Sequence, residues 1–207
     1  MYNIVIPTYK QMLEVLSQTS EIRLNTPEKH EIIASCNNQS AAKNRNWVHS
    51  QAKSDIIIMM DDDIAGFYPG WLSTLIKPLN EDTNVRLVSA RLMKPNGSFA
   101  GMMTSKCKTD SRLELVPRIP TACFAYRKSD LDALIAFHND TSLPFDEEFK
   151  GSGWEDNALC HDLYMRFPNA KIMINNECKL IHLNEEKEQK KYLSENKAYF
   201  FKTRTEL

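Results

Sequence analysis

The sequence predicts an α/β domain, a mostly parallel central sheet flanked by helices. Short apolar runs alternate with amphipathic stretches from the first residues onward, the order in which a sheet and its covering helices are laid down. The segment DIIIMM, Asp55 to Met60, carries an unbroken apolar run, as a central parallel strand covered on both faces requires. A length of 207 residues suits one compact domain with a single substantial core.

Taken in order, Tyr2 to Pro7 reads as a buried strand and Gln11 to Thr19 as a short helix. Glu31 to Ser35 forms a second strand. A helix follows from Ser40 to Ala52, with Ser40 placed to cap it. After the apolar strand, Gly70 to Asn80 is helical, because Trp71, Leu72, Leu75, Ile76 and Leu79 share one face. Val85 to Leu92 is a strand ending at a Pro95-Asn96-Gly97 turn. The mixed polarity of Ser98 to Pro120 reads as loops or a hairpin near a site. A strand over Thr121 to Tyr126 and a helix over Ser129 to Phe137 come next. A glycine turn, Gly151 to Gly153, leads into a helix from Glu155 to Phe167 whose Leu159, Leu163 and Phe167 face the core. Lys171 to Ile174 and Lys179 to His182 are two short strands. With no internal repeat and no low-complexity linker, the expected division is one domain over 1–184 and a charged helical tail over 185–207.

Composition narrows the function classes. A formal net charge of -1 provides no global basic field for nucleic acid or an anionic membrane. The five cysteines are scattered and lack a C-x-x-C pair, which argues against a disulfide framework and a structural zinc site. No segment approaches the roughly 18 apolar residues that span a bilayer, and the N-terminus has no basic leader. The expectation is a soluble, cytoplasmic protein.

Asp61, Asp62 and Asp63 directly follow the apolar strand, at the strand end where open α/β sheets bind ligands. Three adjacent carboxylates repel one another and favour a cation. An extended chain points Asp61 and Asp63 to one side. That pair suits a hard divalent ion whose other positions are filled by water and phosphate oxygens. The competing reading is a solvated acidic loop.

Four segments in order, IVIPTY (Ile4 to Tyr9), AAKNRN (Ala41 to Asn46), IIIMMDDD (Ile56 to Asp63) and GSGWEDNALCHDL (Gly151 to Leu163), resemble the family-two glycosyltransferases. The resemblance spans nearly the whole chain. It implies a single GT-A (Rossmann-like) domain and an inverting transfer of sugar from a nucleotide-diphosphate donor, a UDP-sugar, to a hydroxyl acceptor. It further implies that Pro7, Thr8 and Tyr9 contact the base, that Lys43 and Asn44 help hold nucleoside and diphosphate, and that Asp61 reaches the ribose. Asp63 and Asp61 bind the metal, and Asp156 is the base, with Glu155 its neighbour. Relatives often carry an aspartate after the second strand; this chain has Ser35-Cys36-Asn37-Asn38, so Asn37 or Asn38 becomes the base-reading candidate. For Arg45, solvated helix surface is the preferred reading.

Other residues stay open between two roles. Carboxylates at Glu155 and Asp156 also suit simple helix capping, because the helix dipole favours them there. Gly151 and Gly153 allow close approach of backbone to a ligand. Gly153 and Trp154 are the acceptor or sugar candidates, Trp154 through its flat face, unless it is a core residue. His182, at a strand end, is either a structural histidine or a third metal ligand; imidazole beside carboxylate would favour Mn2+ over Mg2+. The tail interleaves Lys187, Lys190, Lys191, Lys197, Lys202 and Arg204 with Tyr192, Tyr199, Phe200 and Phe201. Packing on the domain is the preferred reading; a surface for a membrane or a nucleic-acid acceptor is the other. Similar small glycosyltransferases occur in bacteriophages, some modifying DNA bases, and on that resemblance a glycan and a modified nucleic acid are the acceptor candidates. The rival functions are a non-catalytic nucleotide-sugar or carbohydrate-binding module on a degenerate scaffold, a nucleotidyltransferase, which usually has an N-terminal glycine-rich loop absent here, and a structural interaction protein, whose one sign is the C-terminal tail.

Overall fold

A computed structural model describes residues 1–10, 12–36, 39–100, 111–137, 143–183 and 191–204. Its strands are β1 (Tyr2–Ile6), β2 (His30–Ala34), β3 (Ile56–Met60), β4 (Ile64–Ala65), β5 (Val85–Met93), β6 (Leu113–Leu115), β7 (Cys123–Arg127) and β8 (Lys171–His182). The α-helices are α1 (Leu16–Asn25), α2 (Ala41–Gln51), α3 (Trp71–Glu81), α4 (Lys128–Phe137), α5 (Glu155–Arg166) and α6 (Leu193–Thr203). The strands form one sheet in the order β2-β1-β3-β7-β5-β8-β4, with β6 also on β8.

The sheet is mixed around a parallel core. β1 pairs in parallel with β2 and β3, and β5 with β8. β7 runs antiparallel between β3 and β5, and β4 and β6 are antiparallel to β8. The carboxyl ends of β1, β3, β5 and β8 therefore share one edge. Ile57, Ile58, Met59 and Met60 are fully buried, as the apolar run required.

Local chemistry explains the departures from the expected elements. The first helix begins as a 3-10 turn over Met12–Val15 and continues as α1 to Asn25, six residues beyond Thr19. Its buried face includes the polar Gln18 and Thr19, so apolar periodicity does not mark it. Thr26, extended ahead of Pro27, ends it. The pieces around Lys171–Ile174 and Lys179–His182 belong to the single strand β8, and the break survives as a register shift between Ala90↔Asn175 and Arg91↔Lys179. Pro78 lies inside α3 and has no N–H for the Thr74 carbonyl. Asn175 Nδ2 donates to that carbonyl instead at 2.7 Å, fixing α3 to β8. Ser40 caps α2 as expected, its Oγ accepting from Lys43 N at 3.4 Å.

No helix of the described residues is long and apolar enough to cross a membrane.

Candidate active site

Asp61, Asp63 and His182 meet at the shared strand edge. Asp61 leaves the end of β3, where its N–H donates to Ala122 O at 2.8 Å. The chain then turns into β4, which pairs with the end of β8 so that Ile64 lies opposite His182. Leu183 N donates to Asp63 O at 2.9 Å, closing this corner. One ligand atom from each of Asp61, Asp63 and His182 lies within 4.8 Å of the others, and among the described residues this is the one such group.

The residues fit a divalent cation. Asp63 Oδ1 is buried without a hydrogen-bond partner, yet it stands 3.1 Å from His182 Nε2. Burying an oxygen with no donor is costly, and a cation between these atoms would satisfy it. Without an ion, burial pushes the Asp61 carboxyl up to about 6, against the pull of Arg45. Burial works against the charged form of His182, but Asp63 and Asp61 outweigh it and raise its pKa.

Asp62 points elsewhere, although Asp62 and Asp63 form a turn and not the extended run that alternation needs. It accepts from Thr8 Oγ1 and lies 2.9 Å from Lys10 Nζ. Thr8 is buried, its N–H donating to Ser35 Oγ at 3.0 Å, while Tyr9 remains 63% exposed. Asn44 Nδ2 donates to Thr8 O at 3.4 Å, joining α2 to the turn after β1, which begins at the half-buried Pro7. Lys43 is exposed on the first turn of α2. Asn37 lies outside the described residues.

Arg45 is not solvated surface, contrary to expectation. It is 4% exposed, with Nη1 2.7 Å from Glu155 Oε1 and Nη2 3.2 Å from Asp61 Oδ1. Ala42, Arg45, Asn46 and His49 form one buried stripe of α2. Their i, i+3, i+4, i+7 spacing was visible in the sequence, but its polar residues concealed it. Arg45 thus ties the end of β3 to the first residue of α5. Glu155 is 6% exposed and committed to this pair.

Asp156, the next residue, is half-buried and takes the Asn157 N–H on Oδ1 at 2.8 Å. Burial and the neighbouring Glu155 carboxylate push it up to about 7. Arg118, which sequence reasoning did not single out, donates from Nη1 to Asn157 Oδ1 at 3.2 Å.

The glycine turn is held by the tail. A Cβ on Gly151 would meet Tyr192 Cδ2 at 2.8 Å, and one on Gly153 would meet Leu193 Cδ1 at 3.2 Å. The close approach both permit is to the chain's own C-terminal segment. Asn196, 2% exposed, accepts from Lys150 N at 3.0 Å and donates to Lys150 O at 2.9 Å and Gly153 O at 2.8 Å. Gly151 O accepts from Ala41 N at 2.9 Å, linking the turn to α2 as well. Trp154 adopts φ 76°, an uncommon conformation for a bulky residue and one often found at functional sites. Its ring packs on Phe200 and Phe201 at 5.3 and 5.6 Å between centroids. Arg204 forms paired bonds with Asp162 at 2.9 and 2.8 Å. Packing on the domain therefore accounts for Phe200 and Arg204. Lys191, Lys197 and Lys202 stay exposed, and Lys187 and Lys190 lie outside the described residues.

A family model described as glycosyl transferase family 2 matches residues 9–135. Among curated proteins, none matches the sequence. Several solved structures share the fold at low identity. GalNAc-T7, solved with UDP, GalNAc and Mn2+, superposes with a TM-score of 0.65 at 10% identity, over 90% of this chain and 43% of that one. The mannosyltransferase PcManGT from Pyrobaculum calidifontis, with GDP-Man and Mn2+, gives 0.62 at 12% identity, over 90% and 58%. Glucosyl-3-phosphoglycerate synthase from Mycobacterium tuberculosis, with Mn2+, UDP-glucose and phosphoglyceric acid, gives 0.59 at 14% identity, over 91% and 74%. The chain thus spans 43% of GalNAc-T7 and 58% of the mannosyltransferase.

Proposed function

The chain belongs to glycosyl transferase family 2, and on that premise we propose an inverting, metal-dependent transfer of sugar from a UDP-sugar to a hydroxyl acceptor. The observation that carries this reading is the convergence of Asp61, Asp63 and His182, with the buried Asp63 Oδ1 3.1 Å from His182 Nε2. Asp61, Asp63 and His182 would hold a divalent cation, Mn2+ in preference to Mg2+ because one ligand is an imidazole. When bound, the ion supplies Lewis-acid stabilisation of charge on the departing diphosphate. Mn2+ with a nucleotide or nucleotide sugar in the similar structures supports the same assignment.

The chain's own groups do the rest. Pro7, Thr8 and Tyr9 line the nucleoside side, Thr8 being locked by Asp62, Ser35 and Asn44. Lys43 and Asn44 flank the diphosphate, and Asn37 reads the base. Arg45 holds Asp61 on one side and Glu155 on the other, fixing the distance between donor and base. Asp156 keeps Oδ1 on the Asn157 amide and offers Oδ2 to the acceptor hydroxyl. A carboxyl pushed up to about 7 is a better proton acceptor than an ordinary carboxylate and is still ionised in a large fraction near neutral pH. As the new bond forms from the face opposite the departing diphosphate, Asp156 takes the hydroxyl proton and the anomeric configuration inverts. Trp154 and Gly153 border the acceptor side. Residues 1–184 form the transfer domain and 185–207 its tail, of which Tyr192, Leu193 and Asn196 brace the glycine turn.

The test is release of free nucleotide from a panel of nucleotide-diphosphate sugars with Mn2+, by the wild type and Asp156→Asn. Release with one nucleotide class, lost in Asp156→Asn while donor still binds, is the expected result. Equal release by the two proteins removes Asp156 as the base.

A further inference from the structure

Two guanidinium groups lie near Asp156, and they are differently employed. Arg45 is buried and paired with both Asp61 and Glu155. Arg118 is exposed, bonded to the neutral Asn157 side chain, and pairs with no carboxylate among the described residues. Its charge nonetheless acts on Asp156, pulling that carboxyl down against burial. We infer that Arg118 is an acceptor-binding residue, and that the acceptor carries an anionic group, a phosphate or a carboxylate, beside the hydroxyl that attacks.

The geometry places a fixed cation beside the proposed base. Arg118 sits in Val116-Pro117-Arg118-Ile119-Pro120, where two prolines restrict the backbone. Ile119 is 1% exposed. Val116 is fastened by N–H donation to Ile172 O at 2.9 Å and by Tyr164 Oη donating to its carbonyl at 3.1 Å. At the other end of the side chain, Asn157 is the shared neighbour. Its N–H holds Asp156 Oδ1 at 2.8 Å while its Oδ1 receives Arg118 Nη1 at 3.2 Å. One residue thereby sets the position of the base relative to an exposed guanidinium with further N–H donors free for a ligand.

The donor does not account for this cation. Its diphosphate is assigned to the Asp61, Asp63 and His182 corner, and Arg118 pairs with neither aspartate there. In a displacement from the opposite face, groups held alongside the base meet the acceptor. Arg118 therefore pairs with the acceptor's charge and aligns its hydroxyl on Asp156, with a planar fork suited to phosphate or carboxylate.

This rests on the transfer reading, so the test is arranged to separate the two. Titration calorimetry is first run with UDP and Mn2+ on the wild type. The UDP- and Mn2+-saturated protein is then titrated with glucose 6-phosphate and with glucose, and the series is repeated with Arg118→Ala and Arg118→Lys. The expected result is tighter binding of glucose 6-phosphate than of glucose. That preference should fall roughly tenfold to a hundredfold in Arg118→Ala, the range for a hydrogen bond to a charged group, and be partly kept in Arg118→Lys. Equal binding of the two sugars, binding of neither, or loss of UDP affinity in Arg118→Ala overturns the inference while the transfer reading stands. Failure of wild type to bind UDP with Mn2+ overturns both.

Discussion

Arg45 Nη1 lies 2.7 Å from Glu155 Oε1, and neither side chain is more than 6% exposed. The pair joins α2 to the start of α5, and Arg45 reaches on to Asp61. Removing one member leaves a buried charge without its partner. Arg45→Met should therefore destabilise the fold by roughly 3–5 kcal/mol. Adding Glu155→Gln should recover much of that loss. Denaturant unfolding of the single and double variants checks both expectations, and a double variant as unstable as Arg45→Met contradicts them.

The transfer rate should fall as pH drops through about 7, because Asp156 must be ionised to take the proton. The stability effect has the opposite sign. A carboxyl raised in the folded state binds its proton more tightly there than in the unfolded chain, where it titrates near its ordinary 3.8. The native state thus gains relative stability as pH falls through 7, and pays its full cost of ionisation above it. Asp156→Asn should abolish transfer and raise the melting temperature at pH 8, with less gain at pH 5. Rate and melting profiles over that range are the measurement.

His182→Ala should weaken Mn2+ more than Mg2+, because the imidazole is the ligand that favours the softer ion. Metal titrations in the presence of UDP, monitored calorimetrically, give the ratio. Equal losses for the two ions would leave His182 a structural histidine.

Asn196→Ala removes three side-chain hydrogen bonds to the backbone at Lys150 and Gly153. The partly buried amide and carbonyls left behind each lose a hydrogen bond worth about 0.5–1.5 kcal/mol. The variant should unfold at lower denaturant, and its transfer rate should drop with donor affinity retained, since the loosened turn leads to Asp156 rather than to the metal corner. Unfolding curves and donor titrations measure these separately.

Much of this was legible in the sequence because it followed one rule at a time. DIIIMM buried itself as a central strand and Ser40 capped its helix, while Asp61 and Asp63 come together through a turn and not through strand alternation. Arg45 was misread because a charged residue on a helix is ordinarily solvated, and its two carboxylate partners lie 16 and 110 positions away. No local pattern shows that Tyr192 and Leu193 fold back onto the glycine turn. Arg118 carries no periodic or motif signal; only the fold brings it to Asn157. Long-range pairing of polar groups was what the linear pattern could not convey.

The most direct test of the central claim is calorimetric titration of UDP into the wild type and Asp63→Ala, each with and without Mn2+. The account predicts that the wild type binds UDP far more tightly with Mn2+, and that Asp63→Ala, still folded, shows no such gain. Identical Mn2+ dependence in the two proteins, or no metal effect in the wild type, would contradict it.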